Sequence, residues 1–191
     1  MKRAREVLDF WFGPRGSAEF GKSRKIWFEK REEFDSALRD RFGALHSLAA
    51  AGRFDAWQAR PHSALALIVL LDQFSRNMFR NSPAAFACDA RALSIARTVV
   101  ARRFDRDLLP VQRWFIYLPY EHAENLGAQR EALRLFAGLK GDADSVGAGD
   151  YARRHCEIVA RFGRFPHRNA ALGRASTADE LEFLKRPGSG F

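Results

Sequence analysis

Cysteine is scarce in this chain. Only Cys88 and Cys156 occur, too few for a disulfide scaffold, and both fall in helical stretches where buried free thiols are the ordinary reading. Lysine is scarce as well, with six against 26 arginines. A GC-rich genome produces that usage whatever the function. The net charge of +9 suits nucleic acid, an anionic membrane or a small anion, but it is weak evidence for any of them. Long apolar runs are missing: the longest, Ala64 to Leu71, is far short of the ~20 residues a membrane span needs. The opening MKRAREVLDFWFG has no signal-peptide core, because Glu6 and Asp9 interrupt it. The expectation is a soluble cytoplasmic protein without a membrane. No alternating strand pattern occurs. A phosphate loop, a dinucleotide fingerprint, a His-Glu-x-x-His pair and a nucleophile elbow are all lacking. No cofactor or metal is indicated, and the cofactor question stays unknown.

What is present is a globular composition. The 191 residues, 47% of them hydrophobic, suit one domain over 1–191 with a sizeable core. That core is rich in Phe, of which there are 17. The stretch SALALIVLLDQFSRNMFR (63–80) organises the rest. Its apolar run must be covered on every side. Leu71, Phe74 and Met78 at helical spacing, after Pro61, predict a helix that turns polar at its C-terminal end. Helices are expected around it at 3–12, 31–51, 84–103, from Pro110 onward, 120–140 and 151–162. A further one over 178–185 opens on the Thr177/Glu180 capping box. Pro119 either kinks a helix or begins one. The fold class is all-α, with short turns favouring antiparallel helix pairs.

Four stretches together resemble a known family: VLDFWFG (7–13), LDQFSRNMFR (71–80), YLPYEHAE (117–124) and YARRHCEIVARFGRFPHRNAALGRAST (151–177). They are similar to the bacterial domain of unknown function 924. That resemblance implies a tetratricopeptide-like all-helical array over nearly the whole chain. No activity is established for that family, so it implies no mechanism.

Four polar groups could carry chemistry. Asp72, Gln73, Arg76 and Asn77 end the central helix. Asp72 and Arg76, four apart, either pair structurally or mark a site, since charges beside so apolar a run are costly unless paired. Glu121, His122 and Glu124 follow Pro119 as acid–base candidates, or as an acidic first turn favoured by the helix dipole. His122 points about 100° from Glu121 on a helix, which argues against one shared metal ion. His155 is either a satisfied, partly buried histidine or a ligand group. Arg164, His167, Arg168 and Asn169 sit in the rigid loop RFGRFPHRN, placed either to bind phosphate or carboxylate or to cap the preceding helix.

These readings lead to a polar cleft that binds a small anionic molecule. Glu121, His122 and His167 are the proton-exchanging candidates. Asp72, Arg76, Asn77, Glu124, His155, Arg164, Arg168 and Asn169 are the binding ones. Acyl or phosphoryl hydrolysis or transfer is the reaction class to test. The alternatives are a non-catalytic helical scaffold for a peptide or protein, nucleic-acid binding through Arg153 to Arg174, and a homodimer that uses the apolar surface.

Overall fold

The computed structural model describes residues 2–190. They form helices joined by short turns, with no strand among them, so the all-α class stands. The centre is one continuous helical rod, α3 (Pro61–Ile68), a π-helical segment (Val69–Phe74) and α4 (Ser75–Met78). Every residue from 63 to 75 is buried. Leu65, Leu67, Ile68, Val69, Leu70, Leu71 and Phe74 are wholly out of contact with solvent. Each contributes about 2 kcal/mol as an upper figure. The neighbours that cover this rod are α1 (Lys2–Phe12), α2 (Glu32–Ala50), α5 (Asp89–Ala101) and α6 (Pro110–Glu121).

Large rings fill the space between them. Trp11 meets Phe74 at 5.4 Å, Phe115 at 5.6 Å and Trp27 at 5.9 Å between centroids. The segment after α1 has little regular helix and is tied down by side chains. Gly13 turns the chain at φ 81°, where only glycine is unstrained. Arg24 then donates to the carbonyls of Phe10 and Trp11, and the Trp27 indole donates to Trp11 O at 2.7 Å. These bonds satisfy the orphan carbonyls at the end of α1.

Beyond α6 the chain continues through α7 (Leu126–Ala137), α8 (Ala148–Phe162) and α9 (Ala178–Leu184). The helix α8 ends at Gly163, φ 71°. A small second core of Ile158, Val159 and Phe165, with Phe162 and Phe183 against it, lies among α8, the following loop and α9. The Thr177/Glu180 capping box is present, with both of its hydrogen bonds made.

Three boundaries differ from those read off the sequence. The central rod is interrupted by the π segment. The helix expected from 84 begins at Asp89, because Pro83–Ala85 forms a separate 3₁₀ turn. Of the two readings of Pro119, a kink or a helix start, the start is excluded, because Pro119 lies inside α6. A proline two residues before a helix end removes one backbone bond and leaves the earlier turns intact. Glu121 and His122 therefore close α6, while α7 starts afresh at the Asn125 N-cap, whose Oδ1 accepts from Ala128 N at 2.9 Å.

Candidate functional site

The π segment prepares the polar end of the rod. A π turn holds an extra residue and disturbs the regular carbonyl ladder, a device common at functional positions. Side chains four residues on take up the carbonyls here. Ser75 Oγ donates to Leu71 O at 2.7 Å, Arg76 Nη1 to Asp72 O at 3.0 Å, and Asn77 Nδ2 to Gln73 O at 3.0 Å.

Asp72 is fully buried, and its oxygens are occupied. Oδ1 accepts from His122 Nδ1 at 2.8 Å and lies 3.0 Å from Arg76 Nη1. Oδ2 accepts from Gln73 Nε2 at 2.6 Å. Burial alone would raise this carboxyl, but Arg76 and His122 beside it hold it well below the usual carboxylate range. An ionised Asp72 fixes the His122 proton on Nδ1. The lone pair then lies on Nε2, which has no hydrogen-bond partner among the described residues. Burial, followed by the Arg76 charge, pushes His122 below its ordinary value despite Asp72. Its side chain is 13% exposed, so a neutral base reaches the surface from a buried carboxylate.

Arg76 also forks onto Asp89 at 2.8 and 2.9 Å. The same Asp89 accepts from Arg168 Nη1 at 3.0 Å, and Arg168 Nη2 donates to His122 O at 2.9 Å. The Arg168 guanidinium is stacked between the rings of Phe86 and Phe165, 4.7 and 4.6 Å from their centroids. Its Nε is buried without a partner among the described residues. Burial and the neighbouring Arg76 charge bring Arg168 down to about 10. His167 is pushed down to about 3, first by burial and then by Arg168, His155, His122 and Arg76. On this side of the cluster two arginines, Arg76 and Arg168, share the carboxylate of Asp89.

A second imidazole–carboxylate pair stands beside the first. His155 Nδ1 lies 2.9 Å from Glu121 Oε1 and 2.8 Å from Tyr151 O, and its ring centroid is 6.2 Å from that of His122. Glu121 Oε2 is buried and unpartnered among the described residues. The end of α6 is held by Gln129, whose Nε2 donates to Glu121 O and Ala123 O.

The remaining expected residues fall outside this core. Glu124 accepts from Phe165 N at 2.7 Å and from both Arg174 terminal nitrogens at 2.6 and 2.8 Å. Arg164 is spent on Glu180, at 2.6 and 2.8 Å, and Asn169 bonds Ser176 and Glu180. Asn77 turns toward Arg80, which pairs with Asp35. Asp72, Arg76, His122, His155, Glu121, His167 and Arg168 thus gather together, whereas Asn77, Arg164 and Asn169 tie neighbouring segments. Asp89, Arg174 and Phe86 were missed. Asp89 reads as an ordinary acidic helix start, and only the fold brings it to two arginines. Among the described residues no three or more His, Cys, Asp or Glu side chains gather in a metal-holding arrangement.

A family model described as bacterial protein of unknown function (DUF924) matches residues 7–188. The chain belongs to the DUF924 family. This DUF924 protein is also similar to a solved structure of a protein of unknown function from Agrobacterium tumefaciens. The two are 36% identical with a TM-score of 0.84, over 96% of this chain and 97% of that one. No curated protein matches it. No described helix of this family member is long and apolar enough to cross a membrane.

Proposed function

We propose that the protein binds a small anionic molecule in front of the Asp72–His122 pair and exchanges a proton with it through His122 Nε2. The observation that carries this is Arg168. A guanidinium 5% exposed, with an Nε unpartnered among the described residues and a lowered pKa, is a buried cation with a shortage of counter-charge, because its one carboxylate, Asp89, is shared with Arg76. An incoming phosphate or carboxylate would relieve that shortage through charge-assisted hydrogen bonds. Arg76 stands behind it and Asp89 holds both arginines in register. A neutral imidazole held in one tautomer by a buried carboxylate is suited to general-base work. Acyl or phosphoryl hydrolysis or transfer in the cytoplasm remains the class to test.

A nucleic-acid reading finds less support. Arg153, Arg164, Arg168 and Arg174 are each paired with carboxylates, and Arg154 and Arg161 lie over the rings of Tyr151 and Phe162, so most of the segment's charge is already engaged.

The test is a thermal-shift screen with inorganic phosphate, phosphate esters and short carboxylates. Stabilisation should disappear in Arg168→Met and persist in Arg164→Met. His122→Gln should keep the stabilisation and lose any turnover. Equal stabilisation of Arg168→Met and the parent protein would refute the reading.

A further inference from the structure

A hollow of about 460 Å³ opens between α5, the end of α6 and the start of α7. None of the residues around His122 and Arg168 lines it. Its floor holds Tyr120, whose side chain is buried at 4% exposure. The Tyr120 hydroxyl makes no hydrogen bond among the described residues and is not sealed from solvent, so it is open to the hollow. Burial, then the Glu131 charge, pushes that hydroxyl up to about 12, so it is a hydrogen-bond donor throughout the physiological range.

One wall carries Arg97, which is exposed and has neither an ion pair nor a hydrogen bond among the described residues. The opposite wall is the first turn of α7. There Asn125 Oδ1 takes the Ala128 amide, and the Gln129 amide closes onto Asn125 O. The amides of Leu126 and Gly127 remain without an intrahelical acceptor. Gly127 has no side chain to cover them and is exposed. Such a helix start favours negative charge. The one acid in the lining, Glu131, has both oxygens held by Arg134 at 2.6 and 2.8 Å. Val100 and Ala128 make the lining partly apolar.

We propose that this hollow is a second binding site, taking the oxyanion of a small phosphate ester or carboxylate with a short apolar body. The Leu126 and Gly127 amides and the Arg97 guanidinium hold the oxygens, and Tyr120 donates a further hydrogen bond. Val100 and Ala128 contact the body. The four donors come from three helices, so an occupied hollow links α5 and α6 to α7.

The test is a ¹H–¹⁵N titration of the full chain with inorganic phosphate and, separately, with acetate, against chloride at matched ionic strength. The Leu126 and Gly127 amides should shift and saturate. Affinity should fall about tenfold in Arg97→Met and about threefold in Tyr120→Phe, the loss of one charged and one neutral hydrogen bond. Tighter binding of phosphate assigns the phosphate class, and tighter binding of acetate the carboxylate class. Arg97 is exposed and Tyr120→Phe keeps the ring, so neither variant threatens the fold. Shifts equal to those in chloride, or unchanged affinity in Arg97→Met, overturn the proposal. Because His122 and Arg168 are untouched by both variants, the outcome is independent of the reading of their cluster.

Discussion

Replacing Asp72 with Asn changes one atom and removes the only carboxylate among the described residues that pairs with both Arg76 and His122. The side chain is isosteric, so packing is kept. What is lost is the negative charge in a site without solvent. Removing one partner of a buried charge pair costs 3–5 kcal/mol in general. Arg76 keeps its two bonds to Asp89, so the loss should fall at the lower end, about 3 kcal/mol. For a domain of this size that corresponds to a midpoint lower by about 6–12 °C, readable by circular dichroism at neutral pH. The pH dependence gives a second check. Asp72 titrates lower in the folded chain than its ordinary 3.8. Its stabilisation is therefore present in full above that value and is lost as the pH falls below it. The gap between parent and variant should close in strong acid, once Asp72 itself takes up a proton. A drop of less than about 2 °C at neutral pH, or a gap that remains undiminished in strong acid, would refute the argument that this carboxylate compensates two buried partners.

Other perturbations separate the neighbouring contacts. His46, His62, His122 and His167 all titrate below their ordinary value, with burial the leading cause. The unfolded chain then binds more protons below about pH 6.5, and stability should fall on acidification by about 1.4 kcal/mol per pH unit for each such histidine. His167→Gln should flatten a denaturant-derived stability profile by about one proton; an unchanged slope would show that His167 titrates normally. Glu124→Gln removes a charged partner of Arg174 and Phe165 N and should cost about 1–3 kcal/mol in urea unfolding. Arg164→Met strips Glu180 of its partner and should speed hydrogen exchange in α9 while leaving α3 protected.

The reading of the sequence succeeded where the signal is local. The apolar run Ala64 to Leu71 announced a rod covered on all sides, and Asp72 and Arg76 met across one turn as their spacing required. The capping box at Thr177 is local as well. Failures came where long-range geometry decides. Nothing in the order Leu-Leu-Asp-Gln-Phe signals a π turn, because the side chains that accommodate it, Ser75, Arg76 and Asn77, are equally at home on an α-helix. Pro119 is a good start signal, but a buried Gln129 eight residues beyond Glu121 supplies the acceptors' partner and lets α6 run on. Asp89 was invisible as a site residue because its meaning comes from Arg168, 79 positions away. Arg164 is the converse case. Its place in a rigid loop suggested a ligand contact, and the fold pairs it with Glu180 on the next helix.

The wide sequence separation of the cluster has a consequence for how the chain acquires it. His122 reaches Asp72 across 50 positions, Arg174 reaches Glu124 across 50, and Arg168 reaches Asp89 across 79. Contacts of such separation are slow to form, since the intervening loop must be closed before they stabilise anything. As the polypeptide emerges from the ribosome, the helices around α3 can collapse first. At that stage Asp72 has Gln73, Arg76 and His122, while Asp89 still lacks its second arginine. Only when the RFGRFPHRN loop has been synthesised can Arg168 stack between Phe86 and Phe165. The arginine–aromatic stack thus acts as a latch that is thrown last, and a nascent protein should acquire its candidate site only with its final helices.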